Sequence, residues 1–64
     1  METICVNRTD VNSAMNFLFS HNRIELIGEN SDVSKFRDNL LSTLCSKGIR
    51  NIHCVINRNI IELT

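Results

Sequence analysis

Proline, tryptophan and tyrosine are absent from this 64-residue chain, and each absence narrows what it can be. Without proline nothing marks a rigid linker or a forced strand end, so breaks are read from glycine, asparagine and helix caps. Phenylalanine, at three positions, is the one aromatic type present, which leaves aliphatic side chains to build the core. So few rings also weaken a single-stranded nucleic-acid platform, which works by stacking bases on aromatic faces. A net charge is missing too: seven Lys and Arg balance seven Asp and Glu. That excludes strong nonspecific attraction to nucleic acid or an anionic membrane, although folding can still assemble a local basic edge. No apolar run reaches membrane-spanning length, and METICVNRTD lacks the basic and apolar regions of a secretory signal. The expected location is therefore the reducing cytoplasm, with no membrane partner.

Recognisable reaction chemistry is scarce. Cys5, Cys45 and Cys54 form an odd set without CxxC spacing and read as reduced thiols. His53 adjoins Cys54, but neighbouring strand residues point to opposite faces, which argues against a Cys–His pair. There is no glycine-rich phosphate loop, because Gly28 is followed by Glu29 and Gly48 ends a helix instead of opening one. No HExxH or paired-cysteine metal pattern occurs. Asp10, Glu29 and Asp32 fall near expected helix starts, where carboxylates are favoured without catalysis. Glu25 and Glu62 come with no identifiable oxyanion donor. Asn7-Arg8-Thr9 matches a glycosylation sequon in a chain with no other secretory signal. The reading assigns no catalytic residue, cofactor or metal ligand.

What the sequence does have is pattern. Its apolar fraction of 42% suits one compact domain over residues 1–64. A folded chain of this size buries only about 60% of its unfolded surface, so self-association or a partner is a natural source of added stability. Thr3–Val6 reads as a strand, with Thr9 and Asp10 as candidate caps for a helix that places Val11, Ala14, Met15, Leu18 and Phe19 on one face. Phe17 widens that face or meets a partner. Arg23–Ile27 is a second strand. Ser31 or Asp32 is expected to cap a helix over Val33–Lys47 whose inner face is Val33, Phe36, Leu40, Leu41 and Leu44. Gly48 suits the left-handed position that ends it, with Ile49 closing a Schellman motif on Leu44. Asn51–Asn57 and Ile60–Leu63 make a final hairpin, with a tight two-residue turn expected within Asn57-Arg58-Asn59.

The resulting β-α-β-α-β-β order predicts a small two-layer α/β or α+β sandwich, a mixed four-stranded sheet carrying both helices on one face. Ile27, Val55 and Ile60 would then lie on the uncovered face as a candidate dimer or partner surface.

The sequence also repeats a phrase, Cys5-Val6-Asn7-Arg8 and Cys54-Val55-Ile56-Asn57-Arg58. If the first three strands run parallel, Arg8 and Arg58 reach one edge beside two helix N-termini, a candidate anion or nucleic-acid site. Arg23 and Arg50 are further candidates at the opposite edge. The preferred expectation is a noncatalytic interaction or regulatory protein acting through homodimerisation or a protein partner. Nucleic-acid binding through the arginine-lined edge is the alternative.

Overall fold

A computed structural model describes residues 2–64. Its order is β1 (Glu2–Cys5), α1 (Val11–His21), β2 (Arg23–Ile27), α2 (Asn30–Ser46), β3 (Ile52–Val55), a 3-10 turn (Ile56–Arg58) and β4 (Ile60–Leu63). The four strands form one mixed sheet in the order β1-β2-β4-β3. β1 pairs parallel with β2, and β4 pairs antiparallel with both β2 and β3. The first three strands therefore all point the same way, with β4 running against them between β2 and β3.

The apolar positions explain the layering. Ile4, Ile24, Leu26 and Ile61 alternate onto one sheet face and are almost wholly buried there. They share a single core with Ala14, Met15 and Leu18 of α1 and Val33, Leu40 and Leu44 of α2. Both helices thus pack on that face. Ile52, Cys54, Leu63, Phe36 and Leu41 close its margins as partly buried residues. Phe17 and Phe19 flank the buried stripe of α1 and stay 40% and 45% exposed. Phe19 was expected inside the stripe. It lies beyond the arc that the sheet and α2 can cover.

Helix ends follow local chemistry. Asp10 caps α1, its carboxylate accepting the Ser13 amide proton at 2.7 Å. Asn22 ends the helix in the left-handed conformation, with φ of 63°. At the far end of α2, Gly48 takes φ of +81°; its N–H donates to Cys45 O and that of Ile49 to Leu44 O, the expected Schellman pair.

Four local expectations are corrected. β1 spans Glu2–Cys5 instead of Thr3–Val6, although the Val6 N–H still donates to Ile27 O at 3.0 Å. The second helix begins at Asn30, with Glu29 as N-cap and no side-chain capping bond, so neither Ser31 nor Asp32 caps it. The last two strands are joined by four residues, since Val55 pairs with Ile60, and the turn closes with Asn59 N–H on Ile56 O. Ile56, inside the expected third strand, opens that turn and is 66% exposed. The 3-10 turn ends the strand one residue before it.

Gly28 explains the early start of α2. Its φ of +147° turns the chain sharply after β2, and a Cβ there would lie 2.8 Å from a Val6 methyl. Val33 closes the other side at 3.5 Å. Gly48 has open space around it and needs only its dihedral freedom. Accordingly Gly48→Ala should cost about 1 kcal/mol, while Gly28→Ala, adding a clash to the backbone strain, should cost about 3 kcal/mol. Urea unfolding of the two variants checks this order, and equal losses would refute the role given to Val6.

Candidate functional site

The chain direction gathers the strand ends as expected. The segments after β1 and β2 and the 3-10 turn after β3 lie at one end of the sheet, where both helices also begin. Arg8 and Arg58 are both exposed at that end. They are not neighbours across a single gap, however. β2 stands between β1 and β4, so the two turns are separated by about 10 Å of sheet, two strand spacings.

The electrostatics there are mixed. Asp10 occupies the start of α1, and Glu29 and Asp32 sit at the start of α2. Three carboxylates therefore accompany two guanidinium groups around the helix N-termini, the positions an anion would use. Hydrogen bonds from the backbone and the side chain of Ser13 hold the Asp10 carboxyl below its ordinary pKa. That first turn is already served by a protein carboxylate. Arg8 makes no ion pair with Asp10 among the described residues, and its N–H donates to Cys5 O within the turn.

Arg58 instead lines an open groove of about 420 Å³ with Glu25, Leu26, Ile27, Gly28, Asn57 and Asn59. It runs between the end of β2 and the 3-10 turn, where β4 has not yet begun. Leu26 N–H donates to Asn59 O at 2.8 Å and ties the two walls together. Nothing in the sequence linked Glu25 to this groove, because the link depends on β4 lying next to β2.

The opposite end separates the remaining arginines. Arg23 lies 3.4 Å from Glu62, whose other oxygen is 2.7 Å from His53 Nδ1. His21 reaches Glu2 at 3.4 Å and stacks on Phe17, with ring centroids 6.2 Å apart. Arg50 is exposed in the loop before β3. Arg23 is thus already engaged by a carboxylate, and Arg50 is not brought into its cluster.

The sheet face away from the helices carries the third set. Cross-strand register forms one row of Thr3, Glu25, Ile60 and Val55, a second of Arg23, Glu62 and His53, and a third of Cys5 beside Ile27. Ile27 is 44% exposed and Val55 is half-buried. Ile60 is only 1% exposed, so it offers almost no surface to a partner, contrary to its expected role. It lies in a central strand flanked by Glu25 and Val55 and stands apart from the helix-packed core. Alternation identified its face correctly, but not its depth.

All three cysteines are free thiols. Cys54 packs against the core and His53 is exposed, consistent with their opposite faces. Among the described residues no cluster of His, Cys, Asp and Glu is arranged to hold a metal ion, and no helix is long and apolar enough to cross a membrane. Comparison of the chain with protein-family models, with curated proteins and with solved structures finds no match.

The Asp10 cap has a pH signature. Its folded-state pKa is depressed, so its contribution is complete above the ordinary value of 3.8 and is lost as pH falls through the folded-state value. Asp10→Ala should be less stable than the parent at neutral pH, and the difference should shrink on acidification below that point. Thermal melts of both chains across the acid range measure it. A difference that stays constant would remove the capping charge from the account.

Proposed function

We propose that the protein is a noncatalytic interaction or regulatory module that works by homodimerisation or by docking a protein partner. The observation carrying this reading is the sheet face without a helix layer, where exposed Ile27 lies beside Cys5 and half-buried Val55 lies on the same face two strands away. Burial of such side chains is favourable and non-directional, and suits recognition by shape. The charged row on the same face is paired within the chain, through Arg23 and His53 on Glu62. An approaching surface need not neutralise that row.

Nucleic-acid binding draws weaker support. Arg8 and Arg58 share their end of the molecule with Asp10, Glu29 and Asp32, which oppose a phosphate backbone.

The reading predicts concentration-dependent self-association that changes little with added salt. Sedimentation equilibrium over a wide concentration range at low and high salt tests it. A monomer throughout rejects the homodimer. Tight DNA or RNA binding that collapses with salt and with Arg8→Gln plus Arg58→Gln would favour the alternative.

A further inference from the structure

β3 is an edge strand, and the hydrogen-bond pattern identifies which of its backbone groups are left over. Thr64 N–H donates to Asn51 O at 2.8 Å, and the register pairs His53 with Glu62 and Val55 with Ile60. In an antiparallel ladder the residues that exchange bonds alternate. His53 and Val55 therefore turn their amides and carbonyls toward β4, while Ile52 and Cys54 turn theirs to the free side.

Edges of this kind are normally blunted by lysine, proline, a bulge or a covering segment. β3 reads Ile-His-Cys-Val, with no lysine, no proline and a regular register throughout. The other edge, β1, is less available. The carbonyl of its Cys5 already accepts the Arg8 N–H at 3.0 Å, and the strand carries Glu2.

We propose that two copies of this chain pair along β3, antiparallel, to make one continuous eight-stranded sheet. The inference rests on the interaction reading above and supplies its homodimeric contact. The strand itself selects the register. With His53 opposite the partner's His53, Ile52 and Cys54 exchange both backbone bonds with the partner's Cys54 and Ile52. Centring on Cys54 instead would match Ile52 with the partner's Ile56, which has already left the strand for the 3-10 turn.

Faces match as well. Ile52 and Cys54 both pack at the margin of the helix-side core, so their pairing joins the two cores edge to edge. His53 lies on the other face, held by its own Glu62. The two-fold axis then runs perpendicular to the sheet. Both uncovered faces point the same way and remain open to a protein partner.

The test uses the full chain, made synthetically with and without an N-methyl group on the Cys54 amide. The methyl removes an outward donor and blocks the edge while leaving the bonds to β4 in place. Far-UV circular dichroism verifies that both chains fold. In sedimentation equilibrium the N-methyl chain should show a dimer dissociation constant raised at least about tenfold. Ile27→Asp, which changes only the face that the edge pairing leaves to a protein partner, should leave the edge-paired dimer intact. In the parent, the Ile52 and Cys54 amides should exchange with solvent more slowly as concentration rises. A mixed-label sample should give an interchain contact between the two His53 α-protons, whose Cα atoms would lie about 4.5 Å apart.

A dimer that survives N-methylation and is lost in Ile27→Asp overturns the edge contact while leaving the interaction reading in place. A parent chain that stays monomeric, with both amides freely exchanging at every concentration, overturns the edge contact and the homodimer together.

Discussion

Ile24 and Ile61 stand opposite each other on β2 and β4, both with no exposed surface, and this pair fixes the C-terminal strand in the middle of the sheet. Full burial of each side chain is worth about 1.5–3 kcal/mol. The strand is also tied at both ends, by Leu26 N–H on Asn59 O and by Leu63 N–H on Asn22 O, each at 2.8 Å. A chain this short cannot form a thick core, so central placement of its last apolar segment matters. The sheet is completed only when residues near the terminus dock between strands formed much earlier in sequence. Such distant pairing carries an entropic cost that local helices avoid.

Everything peripheral follows from that placement. With β4 beside β2, β3 is displaced to the edge, and the 3-10 turn forms the far wall of the groove at Glu25 and Arg58. The parallel direction of β1, β2 and β3 still gathers three turns and two helix starts at one end. Helix starts attract carboxylates for the same reason they attract ligands. Asp10, Glu29 and Asp32 have taken those positions, which explains why geometry favourable to anions does not produce a basic surface.

Legibility in the sequence tracked how local each cause was. β2 and β4 were readable to the residue because alternation of apolar and polar side chains is a local pattern, seen in Arg-Ile-Glu-Leu-Ile. The Schellman end at Gly48 was readable for the same reason. The start of α2 was not, since it depends on Gly28 closing over Val6, a residue far away in sequence. Ser31 and Asp32 have suitable cap chemistry, but the backbone is already helical when it reaches them. A shared end for the repeated Asn-Arg phrases was readable only as a consequence of parallel first strands, a condition the sheet meets. Their separation was not, because nothing local reveals that β4 inserts beside β2. Ile60 is a third case: period two gives a residue its face, while burial depends on how central its strand is.

The uncovered face constrains what can sit on it more tightly than its exposed isoleucine suggests. Its charged row is satisfied internally, but Glu25 shares the other half with Ile60 and Val55 and makes no ion pair among the described residues. Covering that half with a wholly apolar surface would strand a carboxylate, at a cost of several kcal/mol. A stable occupant must either present a donor to Glu25 or leave it at a wet rim while burying Ile27 and Val55. Arg58 borders the same groove and can hold such an occupant's acidic group. On the interaction reading, the partner surface that fits is therefore apolar over Ile27 and Val55 and either donates to Glu25 or leaves it in water. Area alone would have suggested a greasy partner, and the position of one glutamate argues against it.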